Sequence, residues 1–497
     1  MAVRAAESGA SGSGNLAVGK TVYEQHCAAC HGQNGDGNGP ATVWLFPKPR
    51  NFNTGLFKIK STPGVALPTD DDLLETITRG MAGSSMPSFT YLTEAERRNV
   101  VQYVKALATY TNGEGKRVNH FEEAAKNDLL AQPVRFPPEP PVTLAALTQG
   151  KEVYVKFQCA ACHGETGAGD GPNAPTLKDN WGFPALPRDF NSGAFRGGPT
   201  GRDLYLRIHN GMPGTPMPPF GKEAMTPEER WALVLYIQSL RQKDAEISDM
   251  LPPPDGHIHV QRVKKLPVDP LDAEWERWDP ARVPVNPLWP EPNTIFALSV
   301  RAVHDGKRVA IQMQWRDPVR NGAPVRVQDF QDAVALQFSL NGSTPFLGMG
   351  DARNPVNIWM WRAGWQQELD GPRPDVNTRY VSIHVDTYFK TSYQTAQAAG
   401  NPLAQPRKSA VEDANARGFG TLTPQPASEQ NVQGRGVWHD GFWNVLVYRD
   451  IKSSNEGDVK FQLNKPVPVA FAIWDGAQQD RNGRKEISNW YQLVLDP

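Results

Sequence analysis

The chain has 497 residues, with 52 Lys and Arg against 53 Asp and Glu, so its formal charge is −1 at pH 7. That balance excludes the basic footprint of a nucleic-acid binder and a polybasic membrane anchor. No apolar run approaches the roughly 18–20 residues of a spanning helix, and at about 100–200 residues per domain the length predicts about three domains.

Met1 to Gly14 is small and polar, rich in Ala, Ser and Gly, and lacks the apolar core of a secretory signal. This flexible stretch, 1–14, reads as the start of a mature protein whose export signal is gone, with a new methionine or a cloning remnant. From about residue 15 the chain is regular. Val22 and Tyr23 stand among polar residues as in a short amphipathic helix, which leads into Cys27-Ala28-Ala29-Cys30-His31. The same pentapeptide returns as Cys159-Ala160-Ala161-Cys162-His163, and the two copies use all four cysteines of the protein.

The spacing C-x-x-C-H points to covalent c-type haem, each thiol adding to a vinyl group and the histidine supplying one axial nitrogen. A redox disulfide is expected beside a βαβ pattern, and structural zinc needs a closed tetrahedron of ligands, so both alternatives explain less. Gly32 to Pro40 is a loop whose glycines let the backbone pass close to a haem face. Further on, Gly80-Met81 and Met86-Pro87 offer a thioether as sixth ligand, which raises the reduction potential and fills the position a substrate would need. Met86 is the choice and Met81 the competitor. A capping box at Thr93–Glu96, followed by Val100, Val101, Val104, Leu107 and Ala108, predicts a helix over about 94–109. The stretch 15–112 resembles a class I cytochrome c domain, with its opening helix, haem motif, Met-Pro loop and closing helix.

Residues 113–142 turn polar and then proline-rich, which suits a stiff extended connector. In 143–245 the pattern repeats. Gly150-Lys151-Glu152-Val153-Tyr154 mirrors Gly19 to Tyr23, and Arg188-Asp189-Phe190-Asn191-Ser192-Gly193 mirrors Arg50 to Gly55, a duplication at a period of roughly 130 residues. Met212 and Met217 stand where the first copy has Met81 and Met86. Both precede proline, and the repeat selects Met217; His209 is a third candidate, better explained as structural. Thr226-Pro227-Glu228-Glu229 opens the matching final helix.

Over 260–497 the period becomes two. Phe296–Val303 and Val309–Trp315 flank an Asp305-Gly306 turn, and Asp332–Phe338, Tyr380–Val385, Val437–Tyr448 and Val467–Trp474 add strands, indicating a β-sandwich. The fold class expected is therefore two all-α cytochrome c domains followed by a β-sandwich. Composition alone favours a carbohydrate-binding module here. However, Met349-Gly350, Pro355 to Trp359, and Trp474-Asp475-Gly476 through Arg484-Lys485-Glu486 to Trp490-Tyr491 resemble the haem-binding γ subunit of ethylbenzene dehydrogenase. That family includes the γ subunits of dimethylsulfide dehydrogenase, selenate and chlorate reductases and related nitrate/nitrite enzymes. The resemblance implies one non-covalent haem b held by Met349 and Lys485, although Gly348-Met349-Gly350-Asp351 departs from the usual pattern. Such a lysine must be desolvated to bind iron as the neutral amine, and Arg484 would help. His304, His439, Met313 and Met360 are fallback ligands.

Together these features imply an extracytoplasmic, periplasmic subunit with two haems c and one haem b and no catalysis of its own. It would relay electrons between the iron–sulfur subunit of a dimethyl sulfoxide reductase-family molybdoenzyme, with its molybdenum subunit beyond, and a soluble cytochrome or membrane redox complex. A dihaem peroxidase-like enzyme and a dihaem cytochrome with a sugar-binding sandwich are the alternatives.

Overall fold

The computed structural model describes residues 15–241, 256–289, 294–371 and 407–497, with Arg379, Tyr380, Ser382 and Ala399. Apart from Tyr380 and Ser382, the strand expected over Tyr380–Val385 lies outside the described residues. A first helical region holds α1 (Leu16–His26), α2 (Ala28–His31), α3 (Asp70–Arg79) and α4 (Glu94–Leu107). Asn15 caps α1 by accepting from the N–H groups of Ala17 and Val18, and the predicted Thr93–Glu96 box starts α4. Helices α1 and α4 cross at Gly19, where a Cβ would stand 2.1 Å from the Asn99 carbonyl oxygen, so only glycine permits the approach. The fully buried Tyr23 then donates to the Gly32 carbonyl at 2.7 Å and fixes the turn after the haem motif.

A small hairpin, β1 (Thr109–Thr111) and β2 (Arg117–Asn119), and a helix α5 (His120–Lys126) follow in what the sequence offered as polar linker. Phe121 carries α5 into the first core. The proline-rich segment expected as a spacer is mostly exposed but is pinned to both helical regions over 134–137. Val134 N–H donates to the Ser61 carbonyl, Phe136 stacks on Tyr205 at 4.8 Å, and the Trp231 indole donates to the Pro137 carbonyl.

The second helical region, α6 (Leu144–Lys156), α7 (Ala160–His163), α8 (Gly201–Asn210) and α9 (Pro227–Ser239), repeats the first helix for helix. A Cβ on Gly150 would stand 2.1 Å from the Ala232 carbonyl oxygen, and Tyr154 donates to the Gly164 carbonyl at 2.6 Å. Helices α3 and α8 escaped the sequence reading. Each opens on its own capping box, Thr69–Asp72 and Thr200–Asp203, with Asp where Glu is the usual signal.

The rest is a large β region. In chain order it has β3 (His257–Arg262), β4 (Ala281–Pro287), β5 (Ala297–His304), β6 (Arg308–Arg316), β7 (Ala333–Ser339), β8 (Val356–Arg362), α10 (Ala363–Asp370), β9 (Val411–Ala416), β10 (Thr423–Pro424), β11 (Gln433–His439), β12 (Phe442–Asp450), β13 (Val467–Trp474), β14 (Glu486–Ser488) and β15 (Tyr491–Leu495). The strands pair in the order β10-β9-β8-β7-β13-β14-β4-β5-β6-β12-β11, with β15 joining β13 and β3, and β3 joining β5. The run Val437–Tyr448 divides into β11 and β12 at Asp440-Gly441, both at positive φ (49° and 79°), a turn whose twist suits a hairpin.

Alternate residues of β5 and β6 (Leu298, Val300, Ile311, Met313, Trp315) share one core with those of β7, β8 and β13 (Leu336, Phe338, Trp359, Trp361, Phe471). The sheet is thus folded over so that its halves face each other. On the outer side of the β7–β8–β13 half, β7 and β13 present Ala333, Ala335, Ala470 and Ala472, beside the larger Val356, Ile358 and Met360 of β8.

Candidate haem sites

Each C-x-x-C-H motif forms a one-turn helix, α2 or α7, at the foot of its domain's first long helix. The His31 ring lies 4.7 Å from Phe52 in a stack, and its Nδ1 is 2.9 Å from the Arg50 carbonyl. In the duplicate, His163 stacks on Phe190 at 4.5 Å with Nδ1 3.3 Å from the Arg188 carbonyl. A carbonyl can only accept, so Nδ1 carries the proton and Nε2 keeps its lone pair for a metal. Burial holds both imidazoles below their ordinary pKa and therefore neutral. It also pushes the thiols of Cys27 and Cys30 up to about 12 and that of Cys159 up to about 11, which suits attachment sites rather than redox-active thiolates.

Above each histidine the methionine loops close in the same way. Met81 N–H donates to the Met86 carbonyl at 3.0 Å, and Met212 N–H to the Met217 carbonyl at 3.1 Å. Gly80 at φ 70° makes the bend, with the Pro87 carbonyl carbon 2.5 Å from where a Cβ would sit. A cavity of 180 Å³ lies between Cys27, Cys30 and His31 on one side and Met81 and Met86 on the other. A second, of 470 Å³, lies between Cys159, Cys162 and His163 and the pair Met212 and Met217. Both methionines of each pair reach their cavity, and Met212 also reaches the first. His209 is absent from the lining and pairs with Asn210 at 2.8 Å.

The cavities are largely apolar, with basic groups in both linings and Asp179 in that of the second. Arg50 and Lys58 line the first, Lys58, Arg188 and Arg196 the second, and Arg196 reaches both. Burial lowers Lys58 to about 7 and Arg188 and Arg196 to about 10, and the Nε atoms of Arg188 and Arg196 lack hydrogen-bond partners. Buried basic groups around a largely apolar slot fit a flat hydrophobic ligand with anionic edges, as a haem with its propionates is.

Met349 packs on the alanine-floored outer face of the sheet, with Trp474 and Trp490 beside it. Lys485 Nζ lies 4.9 Å from the Trp474 ring centre, and burial pushes its ammonium down to about 8. Arg484 contributes less than expected, since its guanidinium goes to the Gln478 carbonyl. Trp474 belongs to the cluster on which Met349 packs and also lies beside Lys485, so a thioether and a desolvated amine, the donors such a haem would need, stand on one face. Among the fallback ligands, Met313 is in the central core, His304 Nε2 holds the Asp496 carbonyl at 2.7 Å, and His439 is exposed beside Asp440. Only Met360 shares the face of Met349.

Two features of these sites went unread in the sequence. Lys58 and Arg196 occupy equivalent positions after the aligned phenylalanines Phe57 and Phe195, a match available from the repeat. The Ala-x-Ala patterns of β7 and β13 opposite large residues were the other available signal.

Comparison with known proteins agrees with this geometry. The family model described as Cytochrome c matches residues 16–108 and 147–241, and the model described as Ethylbenzene dehydrogenase matches 273–486. The protein joins two cytochrome c domains to an ethylbenzene dehydrogenase-type domain. The matched stretches contain both haem motifs, all four loop methionines, Met349 and Lys485. Relatives include the ORF7 protein of Haloferax mediterranei, named for a respiratory nitrate reductase heme subunit, 28% identical over 49% of this chain and 75% of its own. The dimethylsulfide dehydrogenase subunit gamma of Rhodovulum sulfidophilum is 28% identical over 54% and 90%, and the chlorate reductase subunit gamma of Ideonella dechloratans 27% over 39% and 64%. No helix among the described residues is long and apolar enough to cross a membrane.

Proposed function

We propose that this chain is the periplasmic electron-transfer subunit of an oxidoreductase complex, carrying two haems c and one haem b. His31 and Met86 hold the first covalent iron, His163 and Met217 the second, and Met349 and Lys485 the third. Bound iron supplies one-electron exchange, while the protein supplies axial ligands, burial and charge. The domain limits 15–112, 143–245 and 260–497 carry one haem each. The partners are the iron–sulfur and molybdenum subunits of a dimethyl sulfoxide reductase-family enzyme on one side and a soluble cytochrome or membrane complex on the other. The chain does not turn over substrate alone.

The observation that carries this reading is the doubled pocket, in which an oriented histidine and a methionine loop face each other across a largely apolar slot rimmed with buried basic groups. Two protein ligands per iron leave no open coordination position of the kind peroxide chemistry needs. In the matured protein, acid acetone should release roughly one haem in three, because only the third lacks thioether bonds. Lys485→Ala should abolish that extractable fraction and leave the covalent haem unchanged. Exclusively covalent haem in the wild type, or fast peroxide turnover with a high-spin iron, overturns the proposal.

A further inference from the structure

The three sites are not equivalent in position. The two c-type cavities share a wall built of Pro47, Lys48, Lys58, Ile59, Arg196 and Met212, each of which lines both. The wall follows the duplication, since Lys58 and Arg196 are equivalent residues contributed from opposite sides, and Gly197 abuts Ile59. Arg207 fastens it from α8 by donating to the Lys58 and Lys60 carbonyls at 3.1 and 3.0 Å, and Arg50 lies over the Trp181 ring at 4.4 Å.

The first cavity has another neighbour. Phe346 and Leu347, which immediately precede Gly348 and Met349, line it. Tyr91 packs both in the first cytochrome core and on the alanine-floored face with Met349, and its hydroxyl is 3.3 Å from Nδ1 of His26, the residue before Cys27. The contact continues along the β region. Phe46 N–H donates to the Leu288 carbonyl at 2.9 Å, Gly83 N–H to Asn286 Oδ1 at 3.3 Å, and Trp44 lies 3.1 Å from where a Cβ of Gly483 would be, two residues from Lys485. By contrast, every residue lining the second cavity falls between Phe46 and Ile237, and none comes from the β region. The second copy carries Gln158 and Lys222 where the first has His26 and Tyr91, and both are exposed.

We propose that the first C-x-x-C-H pocket is the middle station of the chain, with the second pocket and the Met349–Lys485 face at opposite ends, so that electrons pass between the ends only through it. This rests on the haem reading above. Each step moves one electron, oxidising one iron as its neighbour is reduced. The cationic wall belongs to both c-type sites, so Arg196 raises the potential of both covalent haems although it is part of only one domain.

The test uses the matured three-haem protein after flash reduction, following the b and c absorbance bands. Acid-acetone release is measured first, so that absence of a b haem registers as failure of the haem reading and not of the order. Met86→His, verified by loss of the sulfur-to-iron charge-transfer band, lowers the potential of the middle site. Each ~1.4 kcal/mol of uphill step slows exchange about tenfold, so redistribution between the extractable haem and the second covalent haem should slow by at least about that factor. Met217→His should leave exchange between the first covalent haem and the extractable one unchanged. Unchanged end-to-end exchange in Met86→His overturns the order. Arg196→Gln, read by potentiometric titration, should lower both covalent potentials and leave the b haem where it was, whereas lowering of the second covalent haem alone overturns the shared wall.

Discussion

The two cytochrome copies agree in their smallest contacts and differ where they meet the rest of the chain. Both cross their long helices at a glycine, both anchor the turn after the motif with a tyrosine, and both orient the histidine on a carbonyl two residues before the aligned phenylalanine. Yet His26 is buried in the first copy, while its counterpart Gln158 is exposed, and Tyr91 is packed where Lys222 reaches solvent. The haem machinery therefore comes from the shared part, and position in the molecule from a few side chains at its margin. Pocket and neighbour thus depend on different residues of the same fold.

Removing the thiols gives the largest contrast. Cys27→Ala with Cys30→Ala, and Cys159→Ala with Cys162→Ala, should each lower covalent haem from two to one by intact mass. Only the first pair should also reduce acid-extractable haem, because Phe346 and Leu347 lean on the first cavity just before Met349. Equal retention in both variants would break the contrast. A smaller effect tests what the copies share. Gly19→Ala and Gly150→Ala each place a methyl 2.1 Å from a helix carbonyl oxygen, an overpacking that costs about 1–3 kcal/mol. Thermal unfolding should show two similar losses, and a silent variant in either copy would show that its helix crossing has slack.

The sequence made the haem motifs, both final helices, the methionine loops and the change to period-two patterning legible, because each rests on local chemistry: a fixed spacing, a capping box, a proline, an alternation. What it hid depends on what lies across a contact. Phe136 reads as a hydrophobe in a proline-rich spacer until Tyr205 and Trp231 are beneath it. The desolvation that Lys485 would need to bind iron is invisible in its neighbours along the chain, and only the packed structure supplies it, lowering the ammonium to about 8. His26 and Tyr91 are 65 residues apart, and neither belongs to a motif, so no spacing announces their contact. Helices α3 and α8 were missed for a more local reason, since their capping boxes use Asp at the third position.

The smallest contrast is the most specific. Tyr91→Phe keeps the ring against the alanine face and removes only the hydroxyl at His26, a neutral hydrogen bond whose net worth is about 0.5–1.5 kcal/mol. Tyr91→Leu also removes ring contact with two cores and should cost more. Lys222→Leu changes an exposed side chain at the equivalent position of the second copy and should stay within about 0.5 kcal/mol. If position relative to the β region is what separates the copies, both Tyr91 variants should perturb the visible spectra of the first covalent haem and the extractable haem together, leaving the second covalent haem as it was. A change confined to the first covalent haem would make Tyr91 part of that pocket alone, and the seam between the first cytochrome domain and the sheet would then depend on Trp44, Phe46 and Gly83.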